Sequence, residues 1–439
     1  MQSPPARVAP LPPLGGRGLV IPPRDGSRAA LALAYGRYLG WSYQRFAAIA
    51  DLLAEELRPT HALVAAAAAR ALGKNQKALL GCFASTTVGG PLHCLGLRDA
   101  LPDFAARIAR GGESMVAHLL LELATRRLLD EPIAWPHGAP ALSSLALGVT
   151  LTPPAGATRL SFASGAVIAL GPDGAEVGRF PLDLDRRPES TGGFPVSYDY
   201  RRVGRVTRLA LVGHNPIAEF EAHPDKEGNH IDLGGRTADE WVAVLDESFA
   251  VVESYAPDVF GEMGMLLHEV VPVGFHAERH LSASYREAIG TIYVTLHPNV
   301  MTMAEALIHE FQHNKINLAA WSAEFLANAY HPLYKSPVRP DPRPLWGILL
   351  AVHAFLPVAL LYRRMRAAGH ARAATPDFAR RMSEIDLKNH EGMEMLRANA
   401  QWTPVGRAMF EELDALDRAH MSERAAEGLP TEPTDAHVG

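Results

Sequence analysis

Two histidines four residues apart, with a glutamate beside the first, form the part of this sequence best suited to chemistry. The run is His309-Glu-Phe-Gln-His313. On an α-helix, residues four apart lie on one face, so both imidazoles can bind one metal ion with Glu310 beside it. In metallopeptidases of this spacing the glutamate activates a metal-bound water. The spacing therefore predicts a metal site, with His309 and His313 as ligands and Glu310 as the catalytic residue.

The surrounding sequence predicts that this motif lies on a helix over Met303 to Trp321. Thr302 and Glu305 have the spacing of a capping box, and no proline or glycine follows before Pro332. The preceding run, Ile289 to Leu296, predicts a strand that leads into the helix. The alternative interpretation is a solvated helix face that carries two unrelated histidines.

The third metal ligand is the open question, because two histidines rarely complete a metal site. The metzincin pattern, with another histidine six residues after the second, is absent. His353 is the favoured candidate, because it is an isolated polar residue in the apolar run Trp346 to Tyr362, and a buried imidazole needs a partner. A hydrogen-bonded structural histidine is the competing interpretation. Glu324 and His331 are the alternative ligands.

The composition is that of a globular protein with at least one large core. The chain has 439 residues, of which 48% are hydrophobic, and a net charge of −6. This charge favours neither nucleic acid nor an acidic membrane as a partner. The two cysteines, Cys82 and Cys94, form no C-x-x-C pair, and the N-terminus lacks the pattern of a secretory signal. We expect a cytoplasmic protein.

The pattern of apolar and polar residues changes along the chain and predicts an α+β fold that is mainly helical. Alanine, leucine and charged residues recur at helical spacing in the first third, and short alternating runs such as Arg205 to Val212 predict antiparallel strands in the middle. We expect a helical N-terminal lobe, a central antiparallel β section and a C-terminal helical metal-binding region. The predicted segments are a flexible N-terminal arm (1–26), the helical lobe (27–140), the β-rich section (141–255), the metal-site catalytic region (256–426) and a disordered tail (427–439).

Five segments that occur together resemble one protein family. They cover Glu221 to Asn229, Leu281 to Gly290, Ala304 to His313, Arg339 to Leu345 and Trp402 to Arg407. Taken together, they are similar to the HExxH motif-containing peptide-modification proteins, and the resemblance extends over about residues 205 to 420. It is more specific than the metal motif alone, because the segments occur together.

The resemblance implies an enzyme that uses iron(II) and 2-oxoglutarate to hydroxylate a side-chain Cβ. Its expected substrate is a ribosomally synthesised precursor peptide with a leader, or a carrier-bound amino acid. Three histidines, the third being His353, would then hold the iron on one side. Facial-triad oxygenases usually have two histidines and one carboxylate, which is why Glu324 stays an alternative to His353. Arg343, with Arg339 as the alternative, could clamp the far carboxylate of 2-oxoglutarate through its guanidinium fork. Glu310 would then orient a ligand or the substrate.

Two other functions remain open at this point. A zinc metallopeptidase would use the same two histidines and Glu310 as its general base. A non-catalytic peptide-binding protein with a structural metal would have a closed site with four ligands. We expect neither nucleic acid nor a membrane as a partner, and a homodimer is compatible with the sequence.

Overall fold

Helices make up most of the chain in a computed structural model that describes residues 11–23, 26–220 and 228–431. The beginning of the predicted arm, most of the segment Glu221 to Asn229 and the end of the predicted tail lie outside the described residues. The described helices are α1 (Ala29–Ala48), α2 (Arg58–Phe83), α3 (Thr86–Cys94), α4 (Ala105–Thr125), α5 (Ala238–Tyr255), α6 (Pro257–Leu266), α7 (Val300–Ala320), α8 (Leu345–Ala367), α9 (Pro376–Asn399) and α10 (Pro404–Ala426).

The strands of the described residues are short and form four small sheets. They are β1 (Ile133–Trp135), β2 (Leu142–Ser144), β3 (Val149–Leu151), β4 (Arg159–Ala163), β5 (Ala166–Leu170), β6 (Glu176–Pro181), β7 (Val196–Ser197), β8 (Tyr200–Val203), β9 (Thr207–Ala210), β10 (Glu269–Phe275), β11 (Ser282–Ala283), β12 (Thr291–Leu296), β13 (Leu333–Tyr334) and β14 (Arg343–Pro344). The sheet orders are β1-β4-β5-β6, β2-β3-β7, β11-β12-β10-β9-β8 and β13-β14. The predicted α+β class, mainly helical, is confirmed.

The five-stranded sheet lies beneath the predicted metal helix. Its central strands β9, β10 and β12 run parallel, whereas β8 and β11 pair antiparallel at the two edges. The antiparallel prediction for the middle of the chain therefore holds for its hairpins but not where β9 joins the C-terminal strands. Every residue of β12 is buried, as expected for a parallel strand covered on both faces.

Helix α7 is the central helix of the fold. It packs against α1, α5, α8 and β12, and its apolar side chains belong to one core that extends from Leu14 to Leu413. Asn314 ties it to the sheet, because its side chain accepts a hydrogen bond from Gly290 N at 2.8 Å and donates one to Thr291 O at 3.2 Å. Burial on all sides fixes this helix, and the motif on it, in one orientation.

The described part of the predicted N-terminal arm packs into the core. Leu14, Leu19 and Val20 are buried, and the backbone amides of Gly18 and Val20 donate to the Glu412 carboxylate on α10. Apolar burial and hydrogen bonding together hold this stretch against α10. It therefore has a fixed course across the C-terminal helices.

The start of α7 differs from the sequence-based prediction. The helix begins at Val300, and the side chain of Asn299 caps it by accepting from Met301 N at 2.9 Å. The predicted capping box of Thr302 and Glu305 is therefore wrong. Glu305 instead binds Arg381 on α9 at 2.7 Å, because a buried carboxylate gains more from a guanidinium than from a backbone amide.

Two other helix predictions are confirmed in detail. The sequence predicts helices over Pro376 to Asn399 and over Pro404 to Ala426, the second capped by Thr403. Helices α9 and α10 have these bounds, and Thr403 caps α10 by accepting from Gly406 N at 3.1 Å. Helix α8 includes the apolar run Trp346 to Tyr362. By length and composition it is the one described helix that could cross a membrane by itself, but most of it is buried inside the protein.

Candidate metal centre

His309, Glu310 and His313 form a compact group of possible metal ligands on α7. One ligand atom from each lies within 4.8 Å of the others, and among the described residues this is the one group of three such side chains. The two Nε2 atoms are 2.9 Å apart, and Glu310 Oε1 is 3.9 Å from His309 Nε2. Two ligands of a metal with bonds of about 2.1 Å can be at most about 4.2 Å apart. The distances from His309 to His313 and to Glu310 therefore fit a shared ion.

The carboxylate of this group has a free oxygen that also fits a cation. Glu310 Oε2 is buried and has no hydrogen-bond partner among the described residues. A buried polar atom without a partner is costly, so this oxygen indicates a group that normally satisfies it. Two facing imidazole nitrogens with a carboxylate beside them are suitable donors for zinc or iron.

Burial keeps both motif histidines neutral, which is the state that binds metal. It lowers the pKa of His313, and it lowers that of His309 to well below the usual value, with the charges of His313 and His280 acting in the same direction. The ring of Phe355 on α8 lies 4.5 Å from that of His309 and forms an apolar wall. The site can therefore bind a cation without first losing protons at neutral pH.

His353 lies near the motif, but it is not part of the compact group. Its side chain is fully buried on α8, and its Nε2 donates to Leu19 O at 2.8 Å. Burial lowers its pKa to about 3, so the ring is neutral and Nδ1 is its only atom available for a metal. Nδ1 has no partner among the described residues. The assignment of His353 as the third ligand stays a prediction.

The two alternative third ligands lie beyond the end of α7. Glu324 and His331 line a cleft of about 610 Å³ together with Arg286 and Trp346. Since α7 ends at Ala320, neither residue lies on the motif helix. The structure does not bring either residue into the group of His309 and His313.

The predicted clamp arginines lie together in the proline-rich segment before α8. Asp341 accepts from Arg339 Nε at 2.8 Å, and Arg343 Nε is 3.0 Å from the other oxygen of the same carboxylate. One carboxylate therefore faces two guanidinium groups. Partial burial lowers the pKa of Arg343, and the charge of Arg339 acts in the same direction. The pair has an excess positive charge that an added carboxylate would balance.

His280 is a residue near the site that the spacing of the motif does not predict. Its Nδ1 lies 3.4 Å from Thr295 Oγ1 on β12, and its charge contributes to the low pKa of His309. It lies in the loop before β11, nearly thirty residues before the motif. Only the pairing of β11 with β12 brings that loop towards α7, so local sequence carries no signal for it.

Comparison with models of known protein families and with curated proteins finds no match to this sequence. The geometry of the centre is therefore described by its own residues. It consists of two neutral imidazoles and a carboxylate on a buried helix, and His353 lies outside this group on the next helix.

Proposed function

We propose that the protein is an iron(II)- and 2-oxoglutarate-dependent hydroxylase that modifies a Cβ position in a precursor peptide or a carrier-bound amino acid. The observation that carries the proposal is that the Nε2 atoms of His309 and His313 lie 2.9 Å apart, with Glu310 beside them. This supports a metal centre, and the resemblance to peptide-modification proteins supports iron and 2-oxoglutarate as its reagents.

The bound iron would supply the oxidation of a C–H bond, in which dioxygen and 2-oxoglutarate are converted to succinate and carbon dioxide while the substrate gains a hydroxyl. The protein residues would position the reactants. His309 and His313 would hold the ion through Nε2, and α8 would exclude water from one side through Phe355. The excess charge of Arg339 and Arg343 over Asp341 would hold the far carboxylate of 2-oxoglutarate.

A zinc metallopeptidase is the second candidate, and the position of Glu310 favours it. Its Oε2 atom is buried without a partner among the described residues. A carboxylate oxygen in that state beside a metal could take a proton from a water molecule. In the hydroxylase, the same oxygen would orient a metal ligand or the substrate from outside the coordination sphere.

The two candidates differ in the metal they bind and in the product they form. The test is to purify the full chain without air, measure bound iron and zinc, and follow succinate formed from 2-oxoglutarate. We expect stoichiometric iron and succinate formation in the wild type, and loss of both in His309→Ala. The exposed His230 gives a matched control, because His230→Ala removes an imidazole far along the chain from the motif. Zinc, no succinate and a cleaved peptide would refute the hydroxylase.

A further inference from the structure

A cavity of about 300 Å³ lies beside the edge of the five-stranded sheet, where α2, α4, β8 and β9 meet. Its charged and polar lining includes four arginines, one glutamate and one histidine: Glu122, Arg126, Arg202, Arg205, Arg208 and His268. None of them belongs to the metal group on α7. Its size is at the lower end of the range of about 300 to 1,000 Å³ found for small-molecule sites.

Two of these arginines face each other directly across the antiparallel pair of strands. Arg202 on β8 and Arg208 on β9 are register partners, so their side chains leave the same face of the sheet. Like charges at directly opposed positions are destabilising. Burial lowers the pKa of Arg208, and the charge of Arg202 adds to this effect. The fold therefore holds two cations together against their mutual repulsion.

Within the described residues, no carboxylate pairs with either member of this couple. Arg208 Nη2 donates to Ala146 O at 3.2 Å, but a carbonyl group carries no net charge. The other two arginines have their own acids, because Arg126 binds Glu122 at 2.6 Å and Arg205 binds Glu253. The cavity therefore has two positive charges that no described residue balances.

The remaining polar residues leave this imbalance unchanged. Burial lowers the pKa of His268 to about 4, so its ring is neutral at pH 7, and its Nε2 lies 2.7 Å from the hydroxyl of Tyr35. Glu122 keeps a raised pKa through burial, and its partner Arg126 opposes that rise. A neutral ligand would leave the charges of Arg202 and Arg208 unbalanced, whereas a ligand with two negative charges would balance both.

We propose that this cavity is a binding site for a small dianion, in which Arg202 and Arg208 hold a phosphate group or a pair of carboxylates. A guanidinium fork matches the oxygens of either group. Arg202 stands exposed at the mouth and Arg208 is half-buried, so a ligand would enter past the first and reach the second. The site is independent of the metal centre and of the function proposed for it.

The test uses the full chain with two probes, inorganic phosphate and succinate, at constant ionic strength. Binding is measured by calorimetry and by the rise in melting temperature. The variant Arg202→Gln with Arg208→Gln should lower affinity by roughly tenfold or more, because charge-assisted hydrogen bonds are lost. Arg201→Gln is the matched control, because Arg201 is the next residue on β8, faces away from Arg208 and lies 3.8 Å from Asp239.

The repulsion between the two arginines provides a second readout without any ligand. Arg202→Gln alone should raise the melting temperature of the free protein, because it removes the opposed charge, and should reduce the stabilisation given by the anion. A response to phosphate alone would identify a phosphate-bearing ligand, and a response to succinate alone a dicarboxylate. His309→Ala should bind the anion as the wild type does. The site is refuted if neither probe stabilises the wild type beyond chloride, or if the double variant keeps its affinity.

Discussion

Lys315 and Glu262 form a buried ion pair that holds the metal helix in place. Lys315 lies two residues after His313, and its Nζ is 2.6 Å from Glu262 Oε2 on α6. The side chains are 0% and 1% exposed. Lys315 also lies 3.4 Å from Val20 O, so it links the N-terminal segment to α6 and α7. We predict that Lys315→Met will destabilise the protein strongly.

The expected cost follows from the unpaired charge that this substitution would leave. Removing one partner of a buried ion pair costs about 3 to 5 kcal/mol, because the remaining ion has neither water nor a counterion. Replacing both partners with apolar residues leaves no charge to desolvate and is often neutral or stabilising. For 439 residues, about 2.1 cal/mol/K of unfolding entropy per residue gives about 0.9 kcal/mol/K. A loss of about 4 kcal/mol therefore lowers the melting temperature by about 4 °C.

Urea and thermal unfolding of three variants measure this effect. Lys315→Met should lose about 3 to 5 kcal/mol, whereas the double variant with Glu262→Met should recover most of the loss. Arg380→Met is the control, because its pair with Asp377 is 70% and 90% exposed and should cost at most about 1 kcal/mol. Lowering the pH should reduce the penalty of Lys315→Met, because protonation removes the charge of Glu262. A double variant as unstable as the single one would refute this reasoning.

Three further predictions concern the histidines and the clamp arginines. Burial lowers the pKa of six described histidines to about 3 or 4, so the unfolded chain takes up more protons below about pH 6.5. The stability they give is complete above that pH and falls by about 2 kcal/mol for each at pH 5. Circular dichroism should therefore show cooperative unfolding near pH 5, and a chain still folded at pH 4 would contradict this. The six are His93, His118, His214, His268, His353 and His420. We expect His353→Ala to abolish iron binding, whereas unchanged metal content with reduced stability would limit His353 to its bond with Leu19. Arg343→Gln should raise the KM for 2-oxoglutarate by roughly tenfold through loss of a charged contact, and an unaltered KM would exclude it from the clamp.

The local sequence predicted the bounds of the two C-terminal helices closely. Proline and threonine at the starts of α9 and α10 set their first turns, because proline fits the first helical position and a threonine side chain satisfies a free amide. The capping box predicted for α7 failed, although its spacing was correct. Glu305 had a stronger partner in Arg381, which is distant in sequence, and no local pattern contains that information.

The sequence likewise predicted only part of the metal centre, and tertiary packing decided the rest. The pair His309 and His313 follows from sequence alone, because a spacing of four on a helix places two side chains on one face whatever surrounds them. The neutral state of these imidazoles depends on burial by α8 and the sheet. The position of His280 near His309 depends on the pairing of β11 with β12. Likewise, Arg202 and Arg208 are six residues apart in the chain and face each other only because a hairpin aligns them. Sequence determined which groups one helix carries, and tertiary packing decided their charge and their neighbours, because desolvation and contact arise only when distant segments meet.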